Sequence, residues 1–176
     1  MKKIKVYIAA SLDGYIARPD GNLNWLTKYP FAPDSNYGYN EFYNSIGSII
    51  MGGRTYRELL AMDVEWPYKG KKSYVVSRHS MNANEDIEFI TENIIETIAD
   101  LRSQADKDIW LMGGGELITM FINAEMVDEM QICHVPVIIG SGIPLFPDNP
   151  KESNWKLIGN TVYDSGIIKI DYQLSF

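Results

Sequence analysis

Thiols and imidazoles are scarce in this chain: Cys133 is its one cysteine, and His79 and His134 are its two histidines. A single thiol excludes an internal disulfide and any cysteine-based zinc cluster, and two imidazoles are a poor start for a histidine-rich metal site. No metal is expected. Positive charge is also in deficit, with 16 Lys+Arg against 23 Asp+Glu and a formal net charge of −7. That balance argues against general binding of nucleic acid or of an anionic membrane. No apolar run approaches the length that spans a bilayer. Val6 to Leu12, behind early lysines, resembles the start of a signal peptide, but Asp13-Gly14 ends the run and no cleavage-like site follows. A cytoplasmic protein is expected. Two familiar nucleotide motifs are missing as well. Neither G-x-G-x-x-G nor G-x-x-x-x-G-K-[ST] occurs, which excludes the usual doubly wound fingerprint and a P-loop triphosphatase.

What is present reads as one globular domain over residues 1–176, with 45% hydrophobic and 22% charged residues. The stretch Ile109 to Met112 is a short apolar strand that runs into Gly113-Gly114-Gly115, after which Glu116-Leu117 opens a helical pattern. Consecutive glycines weaken their neighbours, so they belong where something approaches the backbone closely. A helix N-terminus there offers unpaired N–H groups and the positive end of the helix dipole to an anion such as a phosphate. The competing reading is a tight turn with close helix–sheet packing. A second junction repeats the pattern: Ser48 to Met51 reads as a buried strand, then Gly52-Gly53-Arg54-Thr55 leads into a helix over Tyr56 to Ala61. Two such helix starts could hold the two phosphates of a dinucleotide. Otherwise Arg54 is a solvated charge and Thr55 an ordinary cap. Trp66 to Asn84 contains Lys69, Lys71, Lys72 and Arg78 without an acid, and Phe42 to Arg57 contains Arg54 and Arg57 without one. Either is a solvated loop or a place for a third phosphate.

Along the chain, Ile4 to Ser11 predicts a first strand ended by the Asp13-Gly14 turn. Residues 17–39 are rich in breakers and aromatics, including Trp25, Phe31 and Tyr39, and predict a long loop. A short helix over Glu41 to Ile46 follows, then strands at Ser73–Ser77 and Glu88–Ile90. Ile94, Ile95, Ile98 and Leu101 recur at helical spacing, with Asn93 and Glu96 in the pattern of a capping box. Leu117, Ile118, Phe121 and Ile122 mark the buried face of the helix after the glycine triplet. Met130 to Ile139 predicts a strand at an edge or bulge, because Pro136 interrupts it. Trp155–Tyr163 and Ile167–Leu174 predict a closing antiparallel pair around Asp164-Ser165-Gly166. This order predicts an α/β fold whose central mixed sheet is mostly parallel, with antiparallel C-terminal strands and flanking helices.

Taken in order, Ile8-Ala9-Ala10-Ser11-Leu12-Asp13-Gly14-Tyr15-Ile16-Ala17, Ile50-Met51-Gly52-Gly53-Arg54-Thr55-Tyr56, Val76-Ser77-Arg78, Met112-Gly113-Gly114-Gly115-Glu116-Leu117 and Val127-Asp128-Glu129 through Gly142-Ile143-Pro144-Leu145-Phe146-Pro147 resemble the dihydrofolate reductase-like superfamily. Within it, the chain most resembles stand-alone relatives of the reductase domain of riboflavin biosynthesis. The resemblance implies NADPH lying across the carboxyl ends of the strands. It implies Ala10 and Ile16 at the nicotinamide, and Gly52, Gly53, Arg54 and Thr55 on the diphosphate at one helix start. Gly113, Gly114, Gly115, Glu116 and Leu117 would serve the other, with Ser77 and Arg78 at the adenosine 2′-phosphate. Trp25, Tyr39 and Phe42 are expected on the substrate wall. The substrate side departs from both relatives. Gly38 falls at the acid position of dihydrofolate reductases, and Met112 stands where riboflavin reductase domains often carry glutamate. Asp13 could donate a proton, but a turn aspartate before glycine is more often structural. The expectation is an NADPH-dependent reductase of a small pterin- or pyrimidine-like substrate, with no catalytic residue assigned and a homodimeric state. The alternative is an NADP(H)-binding regulatory protein with lost catalysis.

Overall fold

The computed structural model describes residues 1–29, 36–62, 64–81 and 85–175. Its elements run β1 (Ile4–Ser11), β2 (Tyr15–Ala17), α1 (Tyr39–Ser45), β3 (Ile46–Gly52), α2 (Gly53–Leu60), β4 (Lys72–Val76) and β5 (Ile87–Ile90). They continue through α3 (Ile94–Gln104), β6 (Asp108–Gly113), α4 (Gly115–Asn123), β7 (Glu129–Val135), β8 (Ile143–Pro144), β9 (Asn154–Val162) and β10 (Ile168–Ser175). An eight-stranded sheet has the order β5-β4-β3-β6-β1-β7-β10-β9, and β2 pairs with β8 apart from it. The six strands from β5 to β7 are parallel, while β10 joins β7 and β9 antiparallel. The fold class read from the sequence is therefore the one observed.

Strand periodicity places the core. On β1, Ile4, Val6 and Ala10 bury against Leu117, Ile118 and Phe121 of α4 and Ile98 of α3. Tyr7, between them, points to the opposite layer, with Phe42, Trp110, Met51 and Tyr56. Alternate residues serve opposite faces because the side-chain period of a strand is two. The two layers clothe both faces of the parallel strands, as such sheets require.

Three local expectations are corrected. Helix α2 begins at Gly53 rather than Tyr56, so Thr55 lies inside the first turn and Gly52 holds the cap position without a side-chain hydrogen bond. Asn93 does precede α3, but its φ of 47° is left-handed and its side chain makes no cap bond. A capping box needs an extended residue there. Finally, β7 ends at Val135, before Pro136, and lies between β1 and β10. The proline stops the strand instead of marking a sheet edge, and β7 is paired on both sides. The outer strands of the sheet are β5 and β9, and β9 exposes Leu157, Ile158 and Val162. Within the long 17–39 segment, Ala17 pairs with Ile143 and Asn24–Leu26 forms a short helical turn. Phe31 lies outside the described residues.

Candidate functional site

Three neighbouring strands, β6, β3 and β4, end side by side, and the chain turns into helices after two of them. Their registers align the ends: Met51 pairs with Gly113 and Gly52 with Val76. A Cβ on Gly52 would lie 3.7 Å from the Gly113 carbonyl oxygen and 3.9 Å from the Gly114 nitrogen, so the two glycine junctions touch. On the other side, a Cβ on Gly53 would press on the Ser77 hydroxyl at 2.9 Å and lie 3.3 Å from Arg57 Nη1. The N-termini of α2 and α4 thus converge beside the end of β4. Their free N–H groups and dipole ends favour negative charge at one spot.

These ends floor a cavity of about 800 Å³, within the usual range for small-molecule sites. Of the residues expected at a nucleotide, Ile16, Gly52, Gly53, Arg54, Thr55, Ser77, Arg78, Gly114, Gly115, Glu116 and Leu117 line it. Ala10 and Gly113 do not. Ala10 is in the core under α4, leaving Ile8 and Ala9 on the wall. Gly113 has φ 108°, and a Cβ there would meet Ile118 Cδ1 at 3.2 Å. Gly115 serves packing: a Cβ would strike the Pro144 carbonyl and come within 2.9 Å of the Pro147 ring. Close packing therefore accounts for Gly113 and Gly115, while Gly114 leaves its Cβ position open, with Ile16 Cδ1 at 3.9 Å.

The remainder of the cavity is aromatic. Tyr7, Tyr39, Tyr68, Trp110 and Met112 line it, with Leu23 and Leu26 from the 17–39 segment. Tyr39 and Trp110 meet edge to face at 6.0 Å and Tyr68 and Trp110 at 5.7 Å, so the rings form one connected wall. Of the three aromatics expected on a substrate wall, only Tyr39 is there. Trp25 and Phe42 are buried to 4% and 3% exposure. Phe42 stacks on Tyr7 and meets Trp110 from the core side, and its edge borders a separate cavity with Lys5, Gln131 and Lys169. Large apolar rings in a loop-to-helix segment were drawn to packing, which the sequence could not distinguish from ligand contact.

The lining residues that the sequence did not single out include Tyr7, Tyr68, Trp110 and Glu58, while Arg57 stood out only within its acid-free stretch and Met112 only as a departure from the relatives. Tyr7 with Ala9, and Trp110 with Met112, follow from the period of two once Ala9 and the β6 end are placed. Tyr68 sits in the acid-free stretch that was read only for its charge.

Electrostatics divide the cavity. Arg54 Nε donates to Glu58 Oε1 at 3.0 Å along the exposed side of α2. The 17–39 segment crosses this pair at Gly21, whose φ is 90° and where a Cβ would lie 2.7 Å from Arg54 Nη2. At the aromatic end, burial and the neighbouring Tyr43 push the Tyr68 hydroxyl up to about 12. Burial likewise raises Tyr39 and Tyr7. All three stay neutral donors at ordinary pH. The Tyr7 hydroxyl donates to the Tyr37 carbonyl at 3.0 Å. Trp110 Nε1, like Trp25 Nε1 and Trp66 Nε1, is buried without a hydrogen-bond partner. Such a group is worth about 1–3 kcal/mol of lost solvation.

Asp13 is not aimed at this cavity. Its carboxylate accepts from Ser11 Oγ at 2.6 Å, Gly140 N at 2.8 Å and Ile139 N at 3.2 Å. The Ser11 hydrogen bond leads the causes that lower its pKa, so it stays ionised and ties the first turn to the chain after β7. Gly38, at the place of the dihydrofolate reductase acid, packs on Lys169, with a Cβ there 3.2 Å from Lys169 Cε. Among the described residues, no group of three or more His, Cys, Asp and Glu could hold a metal, and no helix is long and apolar enough to cross a membrane.

Residues 2–169 match the family described as RibD C-terminal domain. The chain is 34% identical over 167 residues to the uncharacterized protein YwjB of Bacillus subtilis (strain 168), covering 94% of this chain and 95% of that one. It is 23% identical over 153 residues to the riboflavin biosynthesis protein RibD of Corynebacterium ammoniagenes, covering 80% of this chain and 44% of that one. Among solved structures, a riboflavin biosynthesis protein from Shewanella sp. PV-4 superposes with a TM-score of 0.88 at 27% identity, covering 99% of both chains. A Thermotoga maritima diaminohydroxyphosphoribosylaminopyrimidine deaminase/5-amino-6-(5-phosphoribosylamino)uracil reductase shares the fold, with a TM-score of 0.73 at 13% identity over 99% of this chain and 57% of that one.

Proposed function

Because the chain belongs to the RibD C-terminal domain family, we propose that it is an NADPH-dependent reductase of a small heterocyclic substrate. The observation that carries this reading is the contact between the two glycine junctions, which brings the starts of α2 and α4 to one anion-favouring floor. The residues present fit the dinucleotide. Gly52 and Gly114 leave the floor bare of side chains, and a Cβ on Gly114 would meet nothing nearer than Ile16 Cδ1 at 3.9 Å. Gly53, Arg54 and Thr55 on one side, and Gly115, Glu116 and Leu117 on the other, would hold the diphosphate through backbone N–H groups and the Arg54 cation. Ser77 and Arg78, joined by Arg57, would take the 2′-phosphate at the end of β4. Ile16, with Ile8 and Ala9, would border the nicotinamide.

NADPH, when bound, supplies the hydride for a C=N or C=O carbon of the substrate. The chain's own part is placement. Tyr7, Tyr39 and Trp110 would orient a flat ring and exclude water from it, and Leu23 and Leu26 would close the outer side. The lining carboxylates among the described residues are Glu58, paired with Arg54, and Glu116 on the first turn of α4. Neither belongs to the aromatic wall. That distribution also supports the second reading, a protein that binds NADP(H) with little or no turnover.

The whole chain acts as one such unit in this reading, in the cytoplasm, as a homodimer. The exposed Leu157, Ile158 and Val162 on the outer strand β9 offer the surface for self-association. The test of the cofactor reading is titration with NADPH and then NADH, following tryptophan fluorescence, repeated on Arg78→Ala. Tighter binding of NADPH, with the preference lost in the variant, supports it. Failure of both nucleotides to bind sinks it.

A further inference from the structure

Resting on the reductase reading, we propose that the substrate is an uncharged, flat heterocycle carrying no phosphate, held on the Tyr7–Tyr39–Trp110–Tyr68 wall and hydrogen-bonded by Tyr68. The charges in the cavity carry the first half of this. Its described cationic side chains are Arg54, Arg57 and Arg78, and all three come from α2 and the end of β4. They surround the floor where the dinucleotide phosphates would lie. The aromatic half draws on β1, β6, the start of α1, the 23–26 segment and Tyr68, and none of these places a charged side chain on the wall.

Lys71, behind the wall, is committed elsewhere. It lies over the Tyr43 ring at 4.5 Å and donates to the Ile46 carbonyl at 2.7 Å, and it does not line the cavity. A phosphate on the substrate would therefore enter an apolar, aromatic space with no cation among the described residues to meet it. Burying such a charge unpaired is strongly unfavourable. The same holds for a substrate cation, since no carboxylate faces it from the aromatic wall among the described residues.

The second half rests on geometry and donors. Edge-to-face ring contacts at 5.8 Å (Tyr7–Tyr39), 6.0 Å (Tyr39–Trp110) and 5.7 Å (Tyr68–Trp110) link the four rings into one apolar wall, which a flat ligand would meet through ring edges and faces in turn. The Tyr7 hydroxyl is taken by the Tyr37 carbonyl, whereas the Tyr68 hydroxyl bonds to no described residue and Trp110 Nε1 has no partner. Trp110 Nε1 is fully buried, which leaves the Tyr68 hydroxyl to meet a ring carbonyl or ring nitrogen.

The experiment uses the full chain with a matched pair of probes, 6-hydroxymethylpterin and its diphosphate ester, titrated onto protein held at saturating NADPH and followed by pterin fluorescence. NADPH binding is measured separately by calorimetry. The uncharged probe is expected to bind at least about tenfold more tightly than the ester. Tyr68→Phe, which keeps the ring, is expected to weaken the uncharged probe by about tenfold, the scale of one lost hydrogen bond, and to leave the NADPH titration unchanged. Equal or tighter binding of the ester overturns the proposal, as does failure of the uncharged probe to bind, or an unchanged probe affinity in Tyr68→Phe. Loss of NADPH binding in the calorimeter would instead defeat the cofactor reading.

Discussion

Gly52 and Gly114 stand against each other at adjacent strand ends, 3.9 Å from the Cβ position of the first to the backbone nitrogen of the second. Neither is glycine for packing reasons, since both Cβ positions meet only ordinary contacts. Gly115 is different, because a Cβ there collides with the Pro144 carbonyl. The neighbouring glycines should therefore separate in their effects. Gly52→Ala is expected to leave the thermal midpoint nearly unchanged while NADPH affinity falls by about tenfold, or ~1.4 kcal/mol. Gly115→Ala is expected to destabilise the fold by about 1–3 kcal/mol, through overpacking against backbone that cannot move freely. Thermal melts beside calorimetric titrations check both. Equal destabilisation by the two would remove the case for a ligand at Gly52.

Arg57 joins Arg78 at the end of β4, since its Nη1 lies 3.3 Å from the Gly53 Cβ position beside Ser77. Loss of either guanidinium is expected to weaken NADPH by about 10–100-fold, the ~1.5–3 kcal/mol of a charged hydrogen bond. NADH, which lacks the 2′-phosphate, should be affected far less. A variant that weakens both nucleotides equally would place its arginine on the diphosphate.

In the proposed cofactor site, Glu58 would compete with a diphosphate for the Arg54 cation. The Arg54–Glu58 pair is half-exposed, at 52% and 44% of the side chains, and such pairs contribute about 0.2–1 kcal/mol after solvent screening. Glu58→Gln should release Arg54 and tighten NADPH by up to about fivefold. The gain should shrink in high salt. Titrations at two ionic strengths decide it, and weaker binding in the variant would contradict the competition.

Asp13 has its pKa lowered, with the Ser11 hydrogen bond as the leading cause. A carboxyl depressed in the folded state stabilises fully above its unfolded value. That stability is lost as pH falls through the folded value, so it should fade below about pH 4. Asp13→Asn is expected to flatten this acid limb of the melting curve while the pH profile of reduction above about pH 5 keeps its shape. A reduction profile that loses an ionisation in the variant would restore Asp13 as a proton donor.

Val162, 71% exposed on the outer strand β9, tests the homodimer. Val162→Glu is expected to shift sedimentation from dimer toward monomer with NADPH binding retained. A wild-type chain that sediments as a monomer would end that part of the reading.

The sequence by itself determined the order of the helices and of the strands of the large sheet, its parallel centre with an antiparallel end, and both glycine junctions, but not the small β2–β8 pair. Strand and helix patterns repeat over a few residues, and a glycine-led helix start is a local feature, so neither needs a partner in space to be recognised. Even the split of Ile4, Val6 and Ala10 from Tyr7 follows from the pleat of one strand. Only the tertiary structure decided what those elements do to each other. It set β7 inside the sheet, because pairing on both sides depends on β10 returning from 168–175. It sent Trp25 and Phe42 into the core and brought Tyr7, Tyr68 and Trp110, distant in sequence, onto one wall. Burial of a ring is a property of the space left between elements, and no pattern within a single element encodes it.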